Sequence, residues 1–127
     1  MNKVVIDGSA LIAALFREEG ADRIAATGRE LLISAVSYSD VLTRALELDA
    51  PLDEVLSAIG ELANDVVAVD VVQAITSARL RRLTSNPPLP AELWSCIALA
   101  LVTQCPLMTA TRALRDLDLG VMTEVIR

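Results

Sequence analysis

The amino-acid sequence predicts an α/β domain in which a mostly parallel central sheet of about five strands is flanked by helices. The first observation is a set of short apolar runs bounded by polar turns, at residues 4–6, 31–36, 66–69, 107–108 and 121–125. The second is that the longer segments between these runs carry apolar residues at helical spacing. Strands that alternate with helices are joined by crossovers, which make the strands parallel and place helices on both faces of the sheet.

Three helices are predicted in the first half of the chain. One follows the first strand over residues 9–16, with the serine at its start as the cap, and a short one is predicted over 20–27. After the second strand, the segment Ser-Tyr-Ser-Asp at 37–40 resembles a capping box, in which side chains three positions apart satisfy backbone N–H groups. This pattern predicts a helix that continues to about residue 48.

Three further helices are predicted in the second half, over residues 51–63, 74–84 and 91–104. The first begins with Pro51, a residue favoured at the first helical position, and its apolar residues recur at i, i+3, i+4 and i+7. The second follows Asp70 and Gln73, which repeat the capping-box pattern. The third follows the proline-rich segment NPPLP at 86–90, which cannot continue a helix.

Length and composition predict one domain, residues 1–127, around a single core, because 54% of the side chains are apolar. The longest apolar stretches are shorter than the roughly 20 residues that a membrane span needs, and the N-terminus lacks the pattern of a signal peptide. We therefore expect a cytoplasmic protein without a membrane anchor. Cys96 and Cys105 have neither the spacing of a redox pair nor a histidine partner, so reduced, buried thiols are predicted.

Missing residue types exclude most catalytic chemistry. The chain has no histidine, so a Ser-His-Asp triad, a Cys-His pair and a histidine metal site are impossible within it. Lys3 is the single lysine, and no P-loop or dinucleotide-binding motif follows a strand. A net charge of -6 argues against nucleic-acid binding by bulk electrostatics, so any contact with RNA must be local. Carboxylates therefore remain as the side chains that could carry catalysis or bind a metal ion.

Two of these carboxylates are predicted to lie at the same edge of the sheet. Asp7 follows the first strand, and Asp40 is expected in the first helical turn after the second strand. Ligands of open α/β sheets bind beyond the carboxyl ends of the strands, and helix N-termini there stabilise negative charge. Two carboxylates without a competing histidine or cysteine suit a hard divalent ion such as Mg²⁺ or Mn²⁺.

The chain resembles a known family along almost its whole length. The segments VVIDGSALIAALFREEGADRI, ISAVSYSDVLTRAL, VVAVDVVQAITSARLRRLT, LPAELWSCIALA and PLMTATRALRDLDLG, in this order and spacing, are similar to a small PIN-domain protein of the VapC toxin type. The resemblance implies a Mg²⁺- or Mn²⁺-dependent endoribonuclease, the toxin component of a toxin–antitoxin system. It also implies a homodimer that is blocked by a VapB-like antitoxin.

The family's site residues can be placed on this sequence one by one. Asp7 matches the acid after the first strand, and Ser9 matches the small hydroxyl residue that supports it. Asp40 occupies the second acidic position, where the family more often has glutamate, so the charge is kept with a shorter reach. The resemblance thus implies that Asp7 and Asp40 bind the metal ion and that Ser9 orients one of them.

Two of the four usual acidic positions are occupied by other residues. Leu93 stands at the third position, and its neighbour Glu92 can replace the acid only if the helix begins irregularly or its register shifts, since one helical step turns a side chain by about 100°. Thr111 stands at the fourth position. The expected catalytic set is therefore Asp7, Asp40, Glu92 and Ser9, of which the three acids are the expected metal ligands.

Purely structural interpretations of the same residues stay open. Asp40 is also explained as part of a capping box, Glu92 as a favourable acid in a first helical turn, and Thr111 as an N-cap. The sequence also has a small group of arginines that suits either phosphate contact or a solvated face, namely Arg79, Arg81, Arg82, Arg112 and Arg115.

Two hypotheses of function follow. The chain is a metal-dependent ribonuclease with an incomplete acidic site and reduced activity, or it is a PIN-fold protein without catalysis that dimerises and binds an antitoxin or another partner. A phosphoacceptor receiver domain is excluded, because Asp7 is followed by Gly8 rather than by a second acid and no lysine follows Lys3.

Overall fold

The computed structural model describes residues 2–83 and 88–127, and within them the strands and helices alternate as predicted. The strands are β1 (Lys3–Ile6), β2 (Glu30–Ser34), β3 (Asp65–Val67), β4 (Leu107–Thr109) and β5 (Thr123–Val125). The α-helices are α1 (Gly8–Leu15), α2 (Ala21–Ala25), α3 (Ala35–Glu47), α4 (Leu52–Leu62), α5 (Val71–Leu83) and α6 (Ala91–Thr103). A 3₁₀ helix lies at Arg112–Asp116.

The five strands form one sheet in the order β3-β2-β1-β4-β5, and every neighbouring pair is parallel. The predicted fold class is therefore confirmed. Strands β2 and β3 are added on one side of β1, and the chain then crosses over so that β4 and β5 are added on the other side. Since ligands of such sheets bind where the strand order reverses, the carboxyl ends of β1 and β4 mark the expected binding point.

Both faces of the sheet are covered by helices. Val4 and Ile6 pack on one face with residues of α1 to α4, whereas Val5 packs on the other face with residues of α5 and α6. All three are fully buried. The strands read as continuous apolar runs in the sequence because neither of their faces meets water.

The structure corrects the caps of the first and third helices. Asp7, and not Ser9, caps α1, because its Oδ1 accepts a hydrogen bond of 2.9 Å from the Ala10 N–H. Strand β2 ends two residues earlier than predicted, and α3 begins at once with Ser34 as its N-cap. The predicted capping box is therefore wrong. Asp40 lies in the second turn of α3 rather than in the first.

The later helices agree more closely with the predictions. Pro51 is the N-cap of α4 rather than its first residue. The Gln73 N–H donates to Asp70 Oδ1 at 2.8 Å, which confirms the cap of α5, although this helix begins three residues before the predicted start. The predicted end of that helix at residue 84 and the first two residues of the NPPLP segment lie outside the described residues.

Gly20 is a position where the backbone fixes the residue type. Its φ is +98°, and a Cβ there would lie 2.8 Å from the carbonyl oxygen of Ile126. We expect Gly20→Ala to lower the free energy of unfolding by about 2 kcal/mol or more, because alanine meets both the clash and the left-handed strain. Urea denaturation measures this loss, and an unchanged free energy of unfolding would contradict it.

The matched control is Gly60→Ala within α4, where a Cβ meets nothing within 4 Å. Alanine at this helical position should raise the free energy of unfolding by about 1 kcal/mol. The same substitution is thus expected to have opposite signs at the two glycines.

Candidate active site

The carboxylate of Asp7 lies at the centre of a buried hydrogen-bond cluster at the end of β1. It is 0% exposed. Its Oδ1 accepts from the Ser9 hydroxyl at 2.7 Å and from the Ala10 N–H at 2.9 Å, and its Oδ2 accepts from the Thr109 hydroxyl at 2.5 Å. Both carboxylate oxygens therefore have protein donors, which stabilise the group in its place beneath the surface.

Burial nevertheless makes the charged form of Asp7 costly. Desolvation raises the pKa of Asp7 from 3.8 to about 6, with a smaller upward contribution from the nearby charge of Glu92. The hydrogen bonds from Thr109, Ala10 and Ser9 act in the opposite direction and lower the pKa. The carboxylate is thus mostly ionised at neutral pH, at a cost to the free energy of unfolding.

Thr109 belongs to this cluster and was missed by the sequence analysis. It is the last residue of β4, is 0% exposed, and also accepts from the Thr111 N–H at 2.9 Å. Ser9 links the Asp7 carboxylate to the segment after β4, since its Oγ donates to Asp7 and accepts from the Ala110 N–H at 2.9 Å. The order of the strands explains this contact. Strand β4 pairs in parallel with β1, so Thr109, at the end of β4, lies beside Asp7, which follows β1.

Glu92 points toward the same edge from the first turn of α6. Its Oε1 accepts from the Gly8 N–H at 2.6 Å and from the Ser37 hydroxyl at 2.6 Å. A Cβ at Gly8 would lie 3.0 Å from this oxygen, so glycine permits the close approach. Leu93 is 3% exposed and packs in the core, so the structure brings Glu92, and not residue 93, to the N-terminus of α1.

Ser37 connects Glu92 to a cysteine. Its hydroxyl lies 2.7 Å from the Cys96 Sγ and donates to the Glu92 carboxylate, so the thiol is placed to donate to the hydroxyl. Burial, with the nearby charge of Glu92, raises the pKa of Cys96 well above its usual range. Cys96 and Cys105 are free and buried, as predicted.

Asp40 is the third predicted acid, and it is exposed on α3. It meets Glu92 at a cavity of about 290 Å³ above the Asp7 cluster. The residues that line this cavity are Gly8, Ser9, Ile12, Asp40, Val41, Pro90, Glu92, Leu93 and Thr111. The structure thus brings Ser9, Asp40 and Glu92 to one cavity, with Asp7 buried directly behind Ser9.

The donor set limits which metal ion can bind. Across residues 2–83 and 88–127, no group of three or more acidic or cysteine side chains is arranged to hold a metal ion. A two-ion centre, which needs several carboxylates around metals about 4 Å apart, does not fit these residues. A single hard ion fits, because Mg²⁺ binds through one or two carboxylates, keeps several waters and takes further oxygens from substrate phosphate.

Two substitutions of Glu92 should distinguish the contribution of its hydrogen bonds to stability from that of its negative charge. We expect Glu92→Ala to lower the free energy of unfolding by about 2 kcal/mol, because the Gly8 N–H and the Ser37 hydroxyl lose their acceptor. Glu92→Gln keeps the acceptor oxygen and should cost about 1 kcal/mol or less. Chemical denaturation of both variants measures the difference, and equal losses would show that the hydrogen bonds at Oε1 contribute nothing.

Comparison with known proteins identifies the fold. No protein-family model matches the chain, and no curated protein matches it in sequence. Among solved structures, a toxin–antitoxin complex from Klebsiella pneumoniae is similar with a TM-score of 0.77 and 15% identity, and the match covers 98% of both chains. The chain has a PIN-domain fold of the VapC type.

Other PIN-fold relatives agree over nearly the same length. VapBC2 from Rickettsia felis, solved with a DNA fragment from its promoter, matches with a TM-score of 0.75 and 9% identity over 98% of this chain and 99% of that one. The sarcin-ricin loop cleaving toxin VapC20 from Mycobacterium tuberculosis matches with a TM-score of 0.68 and 15% identity over 92% of both chains.

The predicted PIN fold is thus confirmed, and at these identities the likeness concerns the fold alone. No helix within the described residues is both long and apolar enough to cross a bilayer.

Proposed function

We propose that this chain is a VapC-like endoribonuclease, the toxin component of a toxin–antitoxin pair, with one weak site for Mg²⁺ or Mn²⁺. The observation that carries the proposal is the cavity in which Asp40 and Glu92 meet above the buried Asp7 cluster. It lies where the strand order reverses, which is the expected ligand position in such a sheet. Residues 1–127 act as one domain in this proposal.

The acidic residues have separate roles in this proposal. Asp40 and Glu92 hold the ion from the cavity wall, and the negative charge of Asp7, buried behind Ser9, supports the ion from beneath the cavity. A bound divalent ion supplies charge stabilisation at the phosphodiester and a more acidic water. Ser9 fixes the orientation of the Asp7 carboxylate through its 2.7 Å hydrogen bond. Thr111, a neutral residue, offers only a hydroxyl for a water.

Titration of the protein with Mn²⁺ by calorimetry tests the proposal without knowledge of the RNA sequence. We expect saturable binding that is weakened about 10-fold in Asp40→Asn, because this exposed ligand is lost while the fold is unaffected. The control is Asp53→Asn, the same change at an exposed residue of α4 away from the cavity. Equal binding by all three proteins would refute a site at this cavity.

A second candidate function is partner binding without catalysis, by a protein that acts as a dimer. The observation that favours it is the Asp7 cluster, in which both carboxylate oxygens already have protein donors and no cation is needed to fix them. Structures similar to this chain include toxin–antitoxin complexes, which supports a VapB-like antitoxin as the partner. We propose that either function operates in the cytoplasm.

The two functions differ in their dependence on metal. Purified antitoxins from the similar complexes can be tested for binding to this chain in EDTA, and light scattering gives the mass of the free protein. A metal-independent complex of a dimeric protein, together with no Mn²⁺-stimulated cleavage of total RNA, would establish the second function. Metal-stimulated cleavage would instead establish the first.

A further inference from the structure

The protein binds the Glu92 carboxylate through only one of its two oxygens. Oε1 accepts from the Gly8 N–H and from the Ser37 hydroxyl, both at 2.6 Å, and the Cys96 Sγ lies 3.4 Å from the same atom. Oε2 accepts no hydrogen bond from the described residues and is not among their buried atoms that lack a partner. Glu92 is partly exposed and lines the cavity of about 290 Å³ that it shares with Asp40, here called the acidic cavity. Oε2 is therefore the oxygen that remains for this cavity.

Ser37 makes its hydrogen bond from a fully buried position in the first turn of α3. A buried hydroxyl is costly unless it is hydrogen-bonded, and this one has two partners. It donates to Glu92 Oε1, and its oxygen lies 2.7 Å from the Cys96 Sγ, so the thiol can donate to it. The helix has no need of this hydroxyl, because Ser34 already caps α3 by accepting from the Val36 N–H. The role of Ser37 is therefore its contact with Glu92.

The helices α3 and α6 bring this contact to the acidic cavity. Ser37 and Asp40 are three positions apart on α3, and residues at this spacing lie on the same face of a helix. Glu92 and Cys96 are four positions apart on α6 and meet Ser37 from the other side. One helix contact thus places both acids of the cavity next to the serine.

Gly8 binds the same oxygen from a third element. It is the first residue of α1, where the N-terminal backbone N–H groups stabilise a negative charge. A Cβ at Gly8 would lie 3.0 Å from Glu92 Oε1 and 3.3 Å from the carboxylate carbon. The carboxylate thus fits against the glycine backbone on one side and against the Ser37 hydroxyl on the other.

From these contacts we infer that Ser37 is a positioning residue of the proposed metal site: with the Gly8 N–H it fixes Oε1 of Glu92, so that Oε2 faces the ion. The inference rests on the proposed function, since it requires that the acidic cavity binds a divalent ion. It explains how an acid one helical position before Leu93 can serve as a ligand. It also implies that glutamine at position 92 keeps its oxygen at Gly8 and Ser37 and presents an NH₂ group to the ion.

A double-mutant cycle in Mn²⁺ affinity tests whether Ser37 acts through Glu92. Calorimetry measures the affinity, and water-proton relaxation measures it for the weakest variants. We expect Ser37→Ala to weaken Mn²⁺ binding about 10-fold, because the carboxylate loses a donor that orients it. In a Glu92→Gln background, where the ligand is already lost, the same substitution should change the affinity by about twofold or less. A purely structural role of Ser37 would weaken binding by the same factor in both backgrounds.

Gly8→Ala is a second variant that disturbs the same oxygen without removal of a side chain, and it decides the test if Ser37→Ala does not fold. The added Cβ displaces the Glu92 carboxylate, so we expect Mn²⁺ binding about 10-fold weaker than in wild type. The matched control is Ser39→Ala, the same change as at Ser37 but at an exposed residue of α3 that does not line the cavity. It should leave the affinity unchanged. Urea denaturation in EDTA establishes that each variant is folded before metal is added.

The outcomes separate the inference from the proposed function. Mn²⁺ binding that is weakened by Asp40→Asn but by neither Ser37→Ala nor Gly8→Ala would overturn the inference and leave the proposed function intact. Equal weakening by Ser37→Ala in the wild-type and Glu92→Gln backgrounds would also overturn the inference alone. If the wild-type protein binds no Mn²⁺, the proposed function and the inference fail together.

Discussion

Replacing Asp7 with asparagine is expected to reduce divalent-stimulated RNA cleavage by a factor on the order of 100 or more, and to stabilise the fold at neutral pH. The amide keeps the size of the carboxylate, and its oxygen can still accept from the Ser9 hydroxyl and the Ala10 N–H. Its NH₂ group can donate to the Thr109 hydroxyl. The fold is therefore retained, whereas the negative charge that supports the metal ion is lost.

The gain in stability follows from the raised pKa of Asp7, which is about 6 in the folded protein and 3.8 for an ordinary aspartate. Between these two pH values the folded protein keeps a proton that the unfolded chain has released, so the free energy of unfolding falls as the pH rises. Two pKa units correspond to about 3 kcal/mol. Wild-type protein loses this amount by neutral pH, and the asparagine variant does not.

Urea denaturation of both proteins in EDTA, at unit steps between about pH 4 and about pH 8, measures this difference. The free energies of unfolding of the two proteins should be closest at the acidic end of this range. They should separate as the pH rises from the unfolded-state pKa of Asp7 to its folded-state pKa. Above the folded-state pKa the difference should stay constant. A pH-independent difference would show that Asp7 has an ordinary pKa, and cleavage that persists in the variant would assign the activity to another site or to a contaminant.

Thr111→Asp is expected to strengthen metal binding and to raise the affinity for Mn²⁺ roughly 10- to 100-fold. Thr111 lines the acidic cavity with Asp40 and Glu92, and its hydroxyl lies 3.4 Å from the Ser9 Oγ. An aspartate there adds a third carboxylate to the cavity. The position also tolerates the change, because residue 111 is the N-cap of the 3₁₀ helix, where aspartate is favoured.

Calorimetry with Mn²⁺ and thermal denaturation with and without the ion measure this gain. Without metal, the added charge should raise the pKa of Asp7 further and reduce stability at neutral pH. With metal, the variant should gain more stability than wild type does. Thr76→Asp, which adds the same charge on α5 outside the cavity, is the control and should leave the affinity unchanged. A variant that binds Mn²⁺ no better than wild type would show that the cavity cannot assemble a metal site.

The sequence contained enough information for the sheet and for the position of the site. Five apolar runs predicted five strands, and the alternation with helices predicted that they are parallel, because both signals are local and repeat along the chain. Asp7 could be placed at the carboxyl edge for the same reason. The boundaries were less certain: β2 ends at Ser34, and two apolar residues after it belong to α3, so the helix cap at residues 37–40 was misplaced.

The contacts within the site could not be predicted, because they join residues far apart in sequence. Glu92 bonds to Gly8 across 84 positions, and Thr109 bonds to Asp7 across 102. Spacing along α6 gave no means of choosing between Glu92 and Leu93, since that choice depends on the rotation of the helix against the sheet. The structure decides it: the Glu92 carboxylate accepts from the Gly8 N–H at the N-terminus of α1, whereas Leu93 packs in the core and presents only an apolar side chain to the cavity.

The hydrogen bond between Thr109 and Asp7 also determines when the site can exist during biosynthesis. A nascent chain that has not yet reached β4 carries Asp7, Ser9 and Asp40 but has nothing to pair with β1 on its open side or to satisfy the Asp7 Oδ2. Long-range pairing of this kind is completed late, after the intervening helices have been made. If the chain cleaves RNA as proposed, its site is therefore assembled only after β4 has left the ribosome, and incomplete chains attached to ribosomes have no closed active site.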